Sequence, residues 1–239
     1  MVIKELFKET INIDRNRLPR HVALSVEGSK EAGLKKGISI EEINKQKLFN
    51  VKNIARTCVK LGIPLFTFYI LPTRMGDEES YVEAVDSLIE FFEDLRKWEF
   101  ITENQIKVSV LGKWYDLPGR LVEPIKGVLE ETRDYDKFFL NLCINYDGQD
   151  EIVDAARMIA RQVKAGKLDP ETISKSDVKE NIYASYFLPP DLLIKTGTAK
   201  KLDGFLLWDS INAKIYFSNK PWPDFGRLEF LKAVEFFQK

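Results

Sequence analysis

Four short stretches of this chain carry side chains able to handle a charged ligand. Val26-Glu27-Gly28-Ser29-Lys30-Glu31-Ala32-Gly33 sets an acid and a glycine directly after an apolar run, where they could hold a metal or approach a phosphate. Pro72-Thr73-Arg74-Met75-Gly76-Asp77 has the composition of a turn and carries one cation. Asn145-Tyr146-Asp147-Gly148-Gln149-Asp150 is polar and suited to capping a helix. Lys195-Thr196-Gly197-Thr198-Ala199-Lys200-Lys201 mixes hydroxyls, small residues and ammonium groups, a composition that can cradle an anion through backbone N–H groups. Taken one at a time, each is equally compatible with an ordinary solvated turn.

Other chemistries are poorly provided for. The one histidine, His21, opens an apolar run and reads as a packing or hydrogen-bonding residue. Serine, histidine and acid do not fall in a triad order, and neither a Walker loop nor a dinucleotide fingerprint occurs. Cys58 and Cys143 read as buried reduced thiols, which points to a cytosolic setting. With 36 basic and 37 acidic residues interspersed, the chain has no basic footprint, so nucleic acid is not an expected partner. No apolar run approaches the roughly 20 residues of a membrane span. Residues 2–12 are weakly amphipathic, which leaves peripheral membrane contact as an expectation.

The elements that must position these loops alternate in type. Apolar runs at 21–26, 65–71, 106–111, 138–144, 192–194 and 214–217 read as strands. Between them, residues 41–61, 80–98, 118–133 and 150–164 have helical spacing, residues 227–237 close the chain as a helix, and 166–177 reads as a polar loop. The alternation predicts a single α/β domain over 18–239, preceded by an N-terminal segment, 1–17, expected to be helical. Its sheet is expected to be mostly parallel with helices on both faces, and the four loops then gather at its carboxyl edge, where ligands bind in such folds.

Together these segments resemble the cis-prenyltransferases, the family of undecaprenyl and dehydrodolichyl diphosphate synthases. The resemblance rests on Arg20-His21-Val22-Ala23-Leu24 with Glu27-Gly28, on Leu61-Gly62-Ile63 with Thr67-Phe68-Tyr69, and on Leu140-Asn141 with Asn145-Tyr146-Asp147-Gly148. It continues through Asp150-Glu151-Ile152-Val153, Pro190-Asp191-Leu192-Leu193-Ile194, Phe205-Leu206-Leu207-Trp208, Tyr216-Phe217 and Trp222-Pro223-Asp224-Phe225. The resemblance implies a six-stranded sheet, a dimer, and an apolar tunnel to which Val85, Leu88, Ile89 and Phe92 would contribute. It also implies magnesium-dependent addition of isopentenyl units to an allylic diphosphate.

The chain departs from the family pattern where that chemistry is done. Glu27 stands at the metal-binding aspartate, followed by Gly28, Ser29 and Lys30, and Glu31 replaces a diphosphate-binding arginine. Asn44 takes a histidine's place, and Gln149 that of an arginine after the Asn145 motif. In the motif Arg-Thr-Ser-Gly-Glu-x-Arg-x-Ser the arginines become Lys195 and Lys201, the glutamate Ala199 and the last serine Asp203. Lys214 stands for a metal-binding glutamate; an ammonium about 4 Å from a divalent ion would be repelled by about 8 kcal/mol at an effective dielectric near ~20. The chain also ends Phe236-Phe237-Gln238-Lys239 without the family's Arg-x-Gly tail.

Three readings follow from the resemblance. The first is a catalytically deficient subunit, as a homodimer or paired with a catalytic cis-prenyltransferase; no metal is expected in this chain, and magnesium would belong to the partner. The second is an active enzyme with altered acceptor or condensation chemistry, using Glu27, Asn145, Lys195 and Lys201 on its allylic or isopentenyl diphosphate together with magnesium. The third is a polyprenyl diphosphate-binding protein without turnover. If the metal site is lost, Lys214 is expected to neutralise Glu27 directly.

Overall fold

The computed structural model describes residues 11–26, 33–73, 78–222 and 224–239. A parallel sheet runs through the centre in the order β3-β4-β2-β1-β5-β6: β1 is His21–Ser25, β2 Leu65–Pro72, β3 Ile106–Leu111, β4 Phe138–Tyr146, β5 Leu192–Thr196 and β6 Lys214–Ser218. The helices are α1 (Ile40–Leu61), α2 (Glu78–Arg96), α3 (Glu99–Glu103), α4 (Gly119–Glu131), α5 (Gly148–Lys164), α6 (Lys175–Asn181) and α7 (Arg227–Gln238). This is the single α/β domain expected, with every strand's carboxyl end on one edge.

Alternate strand residues feed two cores, as the two-residue period of a strand requires. One face carries Val22, Leu24, Phe66, Phe68, Leu140, Leu142 and Ile194, packed against α1, α2, α4 and α7. The other carries Ala23, Cys143 and Leu193 under α5 and the segment around Phe205 and Leu206. Because the central strands are covered on both sides, β1 and β5 are buried along their whole length, which explains the near-continuous apolar runs. Trp222 lies fully buried in the first core, its ring 5.5 Å from that of Phe68 and stacked on Phe225.

Three sequence expectations need correction or limits. The stretch 166–177 is not all loop: Ser174 and Asp177 form a reciprocal capping box that starts α6, a helix without a buried residue and hence without an apolar stripe. The helix over 80–98 ends at Arg96, and Trp98 caps the separate turn α3. Of the N-terminal segment, residues 1–10 lie outside the described residues, and Arg15–Arg17 form a single 3-10 turn capped by Asp14.

His21 shows how tightly the amino edge is built. Its Nδ1–H donates to the Leu188 carbonyl at 2.6 Å, and Nε2 accepts the Thr67 hydroxyl at 2.8 Å. Burial lowers its pKa to about 4 against the opposing effect of the Leu188 bond, so the ring is neutral. The residue is structural, as its position in the sequence suggests. Both cysteines are buried free thiols, and burial pushes their pKa values up. Among the described residues, no helix is long and apolar enough to cross a membrane.

Candidate active site at the carboxyl edge

A cavity of about 340 Å³ opens at the carboxyl ends of β1, β2 and β5, bounded by Ser25, Lys47, Tyr69, Thr73, Asp147, Lys195 and Asp203 among others. Strand register brings these groups together. Ser25 pairs with Tyr69 on one side and with Lys195 on the other, so a hydroxyl, a phenol and an ammonium lie side by side across three strands. Lys195 is 3 % exposed, and its Nζ lies 2.5 Å from Asp203 Oδ2 and 3.4 Å from Ser25 Oγ. Lys201, which is exposed, approaches the other Asp203 oxygen at 3.8 Å.

The segment after β5 is shaped to deliver Asp203. Asp203, Gly204 and Leu206 all have positive φ, so the chain folds back sharply onto the start of α5. Gly148 permits that approach: a Cβ there would stand 2.1 Å from the Gly204 carbonyl oxygen. Phe205 then stacks on Tyr69, ring centroids 5.2 Å apart and ring planes nearly parallel. The Tyr69 hydroxyl donates to the Tyr146 carbonyl at 2.9 Å, and burial raises its pKa. Asp147 caps α5, accepting from the Gln149 and Asp150 amides.

The remaining sequence candidates are distributed around this centre. Asn44 borders a smaller apolar opening of about 100 Å³ between α1 and α2, together with Lys47, Leu48, Leu71, Ala84 and Leu88. Asn145 turns away from the cavity: it has φ 48°, its amide donates to the Lys113 carbonyl at 2.8 Å, and its own carbonyl accepts the Lys113 N–H. There it braces the end of β3. The expected tunnel residues Val85, Leu88 and Phe92 are buried in the first core, with Ile89 packed against it. Glu27, Gly28, Ser29 and Lys30 lie outside the described residues.

Lys214 is not at this edge. It opens β6 opposite Leu192, itself level with Val22, which leaves it roughly 10 Å of strand rise short of the end of β1. Its ammonium donates to the Phe237 carbonyl at 2.9 Å and lies over that residue's ring. The partner expected for it, Glu27, lies outside the described residues. Among the described residues, a charge pair at the cavity joins Lys195 and Asp203.

The sequence named Lys195 and Lys201 and placed Asp147 and Asp203 in its loops without giving them a role, and it passed over Lys47 and Tyr69 as groups around the cavity. Lys47 had a usable signal, one helical turn beyond Asn44 on the same face. Asp203 had another, as an acid eight residues beyond a lysine in a glycine-containing loop.

Glu27, at the family's metal-binding position, lies outside the described residues, and among those described no cluster of three or more histidine, cysteine or acidic side chains occurs. Of the described carboxylates on the cavity, Asp147 accepts from backbone amides and Asp203 pairs with Lys195. What the cavity does offer is cations, hydroxyls and a phenol, a set suited to an oxyanion.

An α/β sheet with a polar cavity at its carboxyl edge has the architecture in which doubly wound proteins place their ligands. The chain belongs to the cis-prenyltransferase family: residues 30–239 match the family described as "Putative undecaprenyl diphosphate synthase". Over 240 residues it is 34 % identical to a tritrans,polycis-undecaprenyl-diphosphate synthase (geranylgeranyl-diphosphate specific) of Methanocaldococcus jannaschii, covering 95 % of this chain and 82 % of that one. It is 33 % identical over 224 residues to an isoprenyl transferase of Prochlorococcus marinus, covering 93 % and 82 %. The fold superposes with a TM-score of 0.89 on lavandulyl diphosphate synthase from Lavandula x intermedia in complex with dimethylallyl diphosphate, at 27 % identity, covering 93 % of this chain and 96 % of that one.

Proposed function

We propose that this chain serves polyprenyl diphosphate synthesis as a catalytically deficient subunit that pairs with a catalytic cis-prenyltransferase. The observation that carries the reading is the Lys195–Asp203 contact. At the position of a diphosphate-binding arginine, this chain has a buried lysine whose charge is met by its own carboxylate. An incoming diphosphate would have to displace that carboxylate, and a lysine gives it a point charge in place of a bidentate fork. Lys214 supports the same view, since an ammonium stands where the family has a metal-binding glutamate and is turned to the Phe237 carbonyl.

Co-expression with an intact family member tests the proposal. The expected result is a mixed complex whose prenyl transfer from isopentenyl diphosphate exceeds that of either chain alone. A chain that purifies only with itself and leaves the other protein's rate unchanged would refute it.

The names of the relatives favour a second reading, that this chain transfers prenyl groups itself. Its similarity to synthases spans nearly their whole length. Single-chain turnover with labelled isopentenyl diphosphate, magnesium and short or long allylic primers would decide for this reading and against the first.

A further inference from the structure

The polar cavity and the small apolar opening beside it share a wall made of Lys47, Ile70 and Pro72. On one side lie Ser25, Tyr69, Asp147 and Lys195; on the other lie Leu48, Leu71, Ala84 and Leu88. Any apolar chain attached to an anion in the polar cavity must pass this wall to reach the α1–α2 side of the sheet.

The wall is held by one hydrogen bond, and the sheet is deformed where it forms. Lys47 Nζ donates to the Ile70 carbonyl oxygen at 2.7 Å. In the ladder between β2 and β4, Tyr69 faces Cys143 and Leu71 faces Ile144, so Ile70 has no partner opposite it. This is a β-bulge, and it leaves the Ile70 carbonyl turned out of the regular pattern where α1 can reach it. The extra residue on β4 that restores the register is Asn145, in its left-handed conformation. A lysine is a costly choice for such a post, because burial lowers its pKa to about 8. An apolar residue would complete the packing at that point without the penalty.

We propose that Lys47 is a specificity-determining bolt between the polar cavity and the apolar side of the domain. Closed on Ile70, it admits diphosphates with little or no hydrocarbon and turns away those with long isoprenoid chains. The proposal rests on the reading of the polar cavity as a diphosphate site. It adds that the chain length accepted there is set by a residue on α1 and a bulge in β2.

Calorimetric titration of the full chain with inorganic diphosphate and with geranylgeranyl diphosphate tests it. The wild type is expected to bind inorganic diphosphate more tightly. Lys47→Ala should raise the affinity ratio of the long-chain over the inorganic ligand by about tenfold, whereas Lys47→Arg, which keeps bulk and charge, should leave it within about twofold. Circular dichroism of each variant establishes that it is folded. Inorganic diphosphate binding with an unchanged ratio in folded Lys47→Ala would overturn the bolt alone. Absence of inorganic diphosphate binding in wild type and variants alike would overturn the underlying diphosphate site and the bolt with it.

Discussion

Lys195 Nζ and Asp203 Oδ2 lie 2.5 Å apart, joining the end of β5 to the turn that follows it. The lysine is buried, and the aspartate sits with φ 50°, a left-handed conformation that non-glycine residues adopt at a cost. A strained turn is thus used to bring a negative charge onto a buried cation at the cavity wall.

Removing that charge should separate ligand binding from stability. In Asp203→Ser, the ammonium loses its carboxylate, and the fold is expected to lose about 1–3 kcal/mol, the usual worth of a hydrogen bond to a charged group and the cost of its loss. Affinity for inorganic diphosphate should rise by about tenfold, because the ligand no longer competes with the Asp203 carboxylate. Urea unfolding and calorimetry read the two effects. A variant that is less stable without binding diphosphate better would show that Lys195 serves the fold alone.

The pH dependence of stability should carry a clear signature of His21, the only histidine in the chain. Its folded pKa is about 4 and its unfolded value 6.5, so the unfolded chain binds the extra proton between these limits. Stability conferred by the neutral ring is complete above pH 6.5 and is lost as pH falls toward 4, by up to about 3 kcal/mol. A single imidazole resonance in a proton NMR titration gives the folded value directly. Titration near 6.5 would contradict the buried Leu188 and Thr67 contacts.

The α2 face tells core from tunnel. Phe92 is fully buried and meets Phe91 edge to face, and Leu88 and Val85 are buried beside it. Phe92→Ala should therefore destabilise the domain by about 3–5 kcal/mol, as expected of a packed core aromatic. A loss under about 1 kcal/mol, measured by chemical denaturation, would mean that the ring lines a space the domain does not need filled.

The structure separates the features that were legible in the sequence from those that were not. The sheet was, because β1, β2, β4 and β5 are covered on both faces and read as continuous apolar runs. Helix α6 was not, because it has no fully buried residue, only Val178 packing on the second core, and announces itself by Ser174 and Asp177. Lys195 stood out by its motif, and the structure places it on the cavity wall. Lys214 was recognised by its motif as well, yet its location depends on strand register: pairing with Leu192 puts it at the amino edge, which no local pattern encodes. Asn145 went astray for a related reason. A bulge turns its side chain toward Lys113, and a bulge is a property of two strands together.

Gly148 and Asp203 should prove coupled although neither side chain touches the other's. Gly148 lies at the start of α5 with the Gly204 carbonyl where its Cβ would be, at 2.1 Å, and with Leu207 Cγ at 2.9 Å. Gly148→Ala must push the turn outward, at about 1–3 kcal/mol for overpacking a close contact. The displaced turn would draw Asp203 off Lys195, so this variant should gain diphosphate affinity in the manner of Asp203→Ser. Combining the two substitutions should then add little to the gain from either alone, a non-additivity measurable in a double-mutant cycle. Additive gains in the cycle would mean that the turn does not transmit its position to Lys195, and that the tight packing of Gly148 on Gly204 only closes the fold.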